Sequence, residues 1–182
     1  MQKIFTIGHS SHTAEHFLAL LRQHGIEVLV DTRSAPYSKY SPQFGRETLK
    51  DALNTAGVKY LWLGNVMGGR PKDKACYDAE GRVFYGRVAA LAEFREAVER
   101  LKRGAEEYRL AVLCSEEDPA HCHRRLLVSR VLLGEGVGIE HIRGDGTLDS
   151  DEDVARKSGK ALIEKQPALF GEMDEGGWRS SG

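Results

Sequence analysis

The chain has 182 residues, 41% hydrophobic and 29% charged, the profile of one soluble globular domain able to bury its own core. A formal net charge of −1 excludes a global field that would draw in DNA or an acidic membrane surface, so any anion binding has to be local. The 3 cysteines show no paired spacing, no apolar run could span a bilayer, and Met1-Gln2-Lys3 runs into a strand rather than a signal peptide, so a cytoplasmic location is expected.

Ile4-Phe5-Thr6-Ile7 reads as a buried strand ending at Gly8-His9-Ser10. Thr13 is placed to cap a helix through Phe17, Leu18, Leu20 and Leu21, closed by Gly25. Val28-Leu29-Val30 forms a second strand ending at Asp31-Thr32-Arg33, followed by a proline-punctuated loop, a helix over 47–56 and a third strand, Tyr60 to Leu63. Gly64 to Arg70 is glycine-rich, and residues 71–86 read as an irregular excursion. A long helix, 88–103, leads to a fourth strand, Leu110 to Cys114. One continuous helix is expected from Pro119 to Glu135, then a fifth strand from Ile139 to Ile142. Residues 1–146 are expected to form the domain; 147–182 would add a C-terminal helix, 151–165, and a frayed tail from 171.

Strands that alternate with helices and are hydrophobic throughout imply an α/β fold: an open, mostly parallel sheet of about five strands covered by helices on both faces. In such folds the loops that follow the strands share one edge, where ligands bind. The unusual polar residues of this chain all follow strands, namely His9 and Ser10, Asp31 and Arg33, Gly68 to Arg70, Glu116 to Arg124, and Arg143 and Asp145. The loops before the strands carry no comparable set.

The ordered motifs GHS, DTRSAPYSKYSPQF, LG..MGGR, LCSEEDPAHCHR and EHIRGDG resemble those of the DUF488 family over residues 4 to about 146. Thr32 stands where that family usually has valine, and Tyr37 where it often has arginine, which interrupts a continuous cationic groove. The resemblance implies the α/β fold and the strand-end site; it implies no reaction.

Each candidate also has a structural reading. Asp118 and Pro119 are ordinary helix-start residues. A helix with a core stripe through Val128, Val131 and Leu132 would place Arg124 inward, needing an anion: Glu116, Asp31 or a ligand phosphate. The same phase would put Cys122 on the other face with Leu126 and Leu133, as a nucleophile or as packing. Cys114 reads as core. Asp31 either caps its loop or orients His9 as a general base. Gly68-Gly69 permits close approach to an anion or simply a turn.

The first expectation is therefore an enzyme, a hydrolase or group transferase acting on a small anionic, phosphate-bearing or nucleotide-like substrate. His9, Asp31, Glu116, Cys122 and His123 would be catalytic; Ser10, Arg33, Ser38, Gly68, Gly69, Arg70 and Arg124 would bind substrate. Redox chemistry is disfavoured because no G-x-G-x-x-G fingerprint follows a strand. The alternatives are a non-enzymatic ligand- or nucleic-acid-binding module, although the net charge gives nucleic acid no support, and a metal- or cysteine-dependent activity. Cys114, Cys122, His123 and His9 are suitable metal ligands, but they lack the short paired spacings of a zinc site, so no metal set is assigned and the cofactor stays unknown.

Overall fold

A computed structural model describes residues 2–159 and 178–180. The strands are β1 (Lys3–Gly8), β2 (Val28–Asp31), β3 (Lys59–Trp62), β4 (Leu110–Cys114), β5 (Gly138–Ile142) and β6 (Leu148–Ser150). The helices are α1 (Ala14–Gln23), α2 (Arg46–Thr55), α3 (Gly64–Met67), α4 (Tyr85–Ala90), α5 (Ala92–Glu107), α6 (Arg130–Gly134) and α7 (Asp151–Ser158). The sheet order is β3-β2-β4-β1-β5-β6, with only the β5–β6 pair antiparallel. The expected five-stranded parallel sheet is thus present, with a short sixth strand added at one edge.

Strand alternation sorts the core onto two faces. Ala111 and Leu113 of β4 join Phe5, Ile7, Phe17, Leu21, Leu49 and Leu53, beneath α1 and α2. Leu110 and Val112 join Phe94, Val98, Leu101, Val128 and Leu132, beneath α5 and α6. Two-sided burial is why β4 reads as a continuous apolar run rather than an alternating one.

Local signals fix most element ends. Thr13 accepts a hydrogen bond from His16 N, as an N-cap should, and Gly25 leaves α1 at φ 62°. Ser150 and Asp153 form a reciprocal capping box that starts α7. Gly159, at φ 69°, ends α7, so the expected helix over 151–165 is shorter; residues 160–165 lie outside those described.

Two long helices of the sequence reading are interrupted. Leu91 is extended (ψ 138°) between α4 and α5, and this turns α4 toward Lys74–Cys76, where Arg87 Nη1 donates to Ala75 O. The stretch from Pro119 is a 3-10 turn (Pro119–His121), then extended Cys122 (ψ 143°), then a π-helical turn (Arg124–Ser129) running into α6. A helical phase counted back from Val128 therefore does not reach Cys122.

Of the expected frayed tail, only Trp178–Ser180 are described; residues 171–177, 181 and 182 lie outside those described. Trp178 Nε1 donates to Leu126 O, a carbonyl in the π turn, at 2.7 Å, and Ser180 N donates to Val83 O at 2.9 Å. Among the described residues no helix is long and apolar enough to cross a membrane.

Candidate functional site

The GHS loop extends the β1–β4 ladder past the strand ends. His9 N donates to Cys114 O and Ser10 N to Ser115 O, at 3.1 and 2.8 Å, with Ser10 held at φ 47°. Gly8 is required here because a Cβ would collide with the carbonyl of Glu116. The loop after β4 is thus supported from behind by backbone.

Beneath it runs a chain of buried polar groups. Both oxygens of Asp31 accept from Arg33, from Nε at 2.9 Å and Nη2 at 2.6 Å, and Oδ2 also accepts from Tyr60 OH at 2.7 Å. Arg33 Nη1 donates to Phe44 O at 2.9 Å and to His9 Nε2 at 3.1 Å. His9 Nδ1 lies 2.8 Å from Ser10 O, an acceptor only, so Nδ1 carries the proton and Nε2 receives Arg33. The His9 ring stacks on Phe44 at 4.4 Å. Burial, reinforced by Arg33 and outweighing the Ser10 contact, lowers the His9 pKa and keeps the ring neutral. Asp31 does not orient His9; Arg33 stands between them. These three, read as base, orienter and anion binder, are committed to one another and to the loop ending at Phe44.

Arg124 is also inward, but its partner differs from expectation. Nη1 and Nη2 donate to the backbone carbonyls of Glu116 and Glu117, the latter at 2.7 Å, rather than to a carboxylate. The guanidinium is fully buried and clamps the loop. Ser38 Oγ accepts from Tyr40 N and Ser41 N, ordering its own turn, and neither it nor Ser10 lines the cleft described below. A Cβ on Gly68 would strike Ser34 Oγ, and one on Gly69 would come 2.9 Å from His123 Cγ. The glycines admit side chains of the protein itself.

Four groups do converge. Cys122, extended, turns its Sγ to within 2.9 Å of Cys114 Sγ. His123 Nδ1 lies 3.3 Å from Cys114 Sγ and 4.0 Å from Cys122 Sγ, and Glu116 Oε2 accepts from Cys114 Sγ at 3.3 Å. One donor atom from each of the four residues fits within 4.8 Å of the others, a set able to hold a metal ion. His123 Nε2 is 3.1 Å from Thr32 O and so carries a proton, leaving Nδ1 to face the sulfurs. Thr32 Oγ1 donates to Leu113 O and lies 3.3 Å from the same Nε2.

The two sulfurs are electrostatically unequal. The hydrogen bond from Cys122 lowers the Cys114 thiol well below its ordinary value against the opposing effect of burial, with His123 assisting. Burial and the neighbouring Cys114 push the Cys122 thiol well up. Burial works to lower His123, but the Cys114 charge and hydrogen bond outweigh it and raise its pKa.

Cys114, Glu116 and His123 open into a cleft of about 570 Å³, whose walls include Ser34, Arg70, Tyr77, Tyr85, His121 and Ser180. Glu116 is exposed, Cys114 and Cys122 are buried, and His123 is intermediate. Of the expected site residues, Glu116, Cys122 and His123 come together, and Arg33, Gly69 and Arg70 line the same cleft. Cys114, weighed as core and as a metal ligand but left out of the catalytic set, joins the first three, and Thr32 was missed. Strand parity was the available signal for Cys114, which ends β4 on the face of Leu110 and Val112, next to the turn that carries Cys122 and His123.

A family model described as "Domain of unknown function DUF488" matches residues 13–131, more than half of the chain. No curated protein and no solved structure matches. With the GHS, DTR and CHR motifs meeting at one strand edge, the chain belongs to the DUF488 family.

Proposed function

We propose that this chain is an enzyme whose chemistry is carried by Cys114, Glu116, Cys122 and His123, acting on a small polar substrate in the cleft above them. The supporting observation is the convergence of these four reactive groups at the floor of a solvent-facing cleft. Hydrolysis or group transfer is the reaction class. Glu116, the exposed member, is the group placed to exchange protons with a reacting molecule.

This reading departs from a centre built on arginines. Arg33 donates to Asp31, Phe44 and His9, and Arg124 turns its two terminal nitrogens to loop carbonyls, which leaves Arg70 among the exposed cations lining the cleft for a negatively charged substrate. The same loss weakens the alternative of a non-enzymatic anion- or nucleic-acid-binding module.

The test is turnover of a panel of ester, phosphoester and amide substrates by the wild type, Glu116→Gln and Cys114→Ala. Activity lost in both variants without a change in melting temperature supports the reading. Turnover that survives both substitutions, or ligand binding with no turnover anywhere in the panel, overturns it.

A further inference from the structure

We propose that Cys114, Cys122 and His123 bind a divalent transition-metal ion of the zinc type, with Glu116 occupying a fourth, exchangeable position on the cleft side.

The four donor atoms face one another, with thiol protons between Cys122 and Cys114 and between Cys114 and Glu116 that an entering ion would displace. The carboxylate only accepts, and His123 has placed its ring proton on Nε2, against Thr32 O, so that Nδ1 offers a lone pair toward the sulfurs. A ligating imidazole whose other nitrogen donates to a backbone carbonyl is the usual outer-shell arrangement of a metal histidine. Metal–ligand bonds of about 2.0–2.3 Å set tetrahedral donors roughly 3.3–3.8 Å apart. The Cys114–Glu116 and Cys114–His123 separations, both 3.3 Å, and the Cys122–His123 separation of 4.0 Å lie at or near that range. The sulfurs, at 2.9 Å, have to part by less than an ångström as the ion enters. Entry releases the two thiol protons and forms two metal–thiolate bonds, with no change of oxidation state.

Two sulfurs and an imidazole favour zinc-like ions over magnesium or calcium. Arg124 Nη1, 3.9 Å from Cys122 Sγ, tempers the charge of that thiolate once it is bound. Burial separates the ligands by role: the two cysteines are enclosed, whereas Glu116 is exposed to the cleft. Two enclosed thiolates, a half-buried imidazole and one carboxylate replaceable at a cleft are the pattern of a catalytic rather than a purely structural centre. The fold supplies what the spacing did not, because a strand end and an extended residue eight positions later bring distant ligands together.

The experiment is reconstitution of the reduced, chelator-treated full chain with zinc and, separately, cobalt(II). One ion per chain is expected, with sulfur-to-cobalt charge-transfer absorption and the intense ligand-field bands of four-coordination. Cys122→Ser and His123→Ala should weaken binding by more than the roughly 10–100-fold that loss of an outer-shell partner costs. Glu116→Gln should keep the ion but shift the ligand-field bands, and Cys76→Ser should change nothing. Should a variant fail to fold, the wild-type cobalt spectrum decides alone. Absence of a stoichiometric ion, a bound ion without thiolate absorption, or a Glu116→Gln spectrum identical to wild type would overturn the assignment. Turnover by a chain that takes up no ion would overturn this proposal and leave the enzymatic reading standing; a bound ion without turnover would do the reverse.

Discussion

Arg124 donates to the backbone carbonyl of Glu116 and ignores its carboxylate. The guanidinium is fully enclosed, and with the neighbouring carbonyl of Glu117 it fixes the path of the loop that carries Glu116 into the cleft. Arg124→Ala would leave two carbonyls without partners and a cavity behind them, at a cost of about 3–5 kcal/mol. Urea unfolding should show that loss, and phosphate should protect wild type no better than the variant. A variant as stable as wild type would mean that the clamp contributes nothing.

The Asp31–Arg33 pair is a second structural commitment of residues that look catalytic in the sequence. Both side chains are buried, and Asp31 accepts from Tyr60 as well. Removing one partner of a buried ion pair strands the other, so Asp31→Asn should lose about 3–5 kcal/mol. Tyr60→Phe removes one hydrogen bond to a charged group and should lose about 1.5–3 kcal/mol. Because the two share a partner, the double variant should lose less than the sum of the single losses, which thermal melts of all four proteins would show.

Why the sheet was legible and the site only partly so follows from which signals act locally. The runs Ile4–Ile7 and Leu110–Cys114 are apolar at every position because both faces are covered, and no other element tolerates that pattern over so short a length. β6 was missed because a three-residue edge strand containing Asp149 and Ser150 has no apolar run to show. The larger error concerned Cys122. Its placement on the wrong face assumed one helix from Pro119, whereas an extended residue and a π turn redirect its sulfur toward Cys114, and the segment is held by tertiary contacts. Among these is the Trp178 indole donating to Leu126 O from the far end of the chain. Arg124 was recognised as needing a partner and Arg33 was read as a substrate binder; that Arg124 meets the protein's own carbonyls and Arg33 meets Asp31 and Phe44 O depends on loop paths no spacing reveals.

Stability should fall with acid, beginning near neutrality. His141 is buried between Thr6 Oγ1, 2.7 Å from Nδ1, and Asp151 Oδ1, 3.4 Å from Nε2. Burial lowers its pKa below 6.5 despite the raising effect of Asp151, with Arg124 and Arg125 adding to the decrease. A base depressed in the folded state is protonated first in the unfolded chain, so its contribution is present above about 6.5 and is lost as pH falls below it. Asp151 follows at lower pH. Burial alone would raise its pKa, but the hydrogen bonds from His141 and Arg125 lower it below 3.8, so its share disappears as pH drops through that value. Urea midpoints should therefore decline from pH 7.5 to 5.5 in wild type and decline less in His141→Gln. A slope unchanged by that substitution would assign the loss to other groups.

Gly69 lets the position of His123 be tested without touching a reactive group. A Cβ at Gly69 would lie 2.9 Å from His123 Cγ and 3.0 Å from its Cβ, too close for the ring to stay in place. The ring is pinned at its far side by Thr32 O, so it can yield only by moving Nδ1 relative to the sulfurs. Gly69→Ala should accordingly weaken turnover and zinc binding about tenfold or more, with a loss of stability of about 1–3 kcal/mol typical of overpacking. Gly8→Ala is the contrasting case. Its Cβ meets the rigid backbone carbonyl of Glu116, so the strand-end ladder itself has to open. That variant should be the less stable of the two in urea unfolding, whereas Gly69→Ala should show the larger functional loss per unit of stability lost. If Gly69→Ala leaves zinc affinity and turnover at wild-type values, the position of His123 does not control the site.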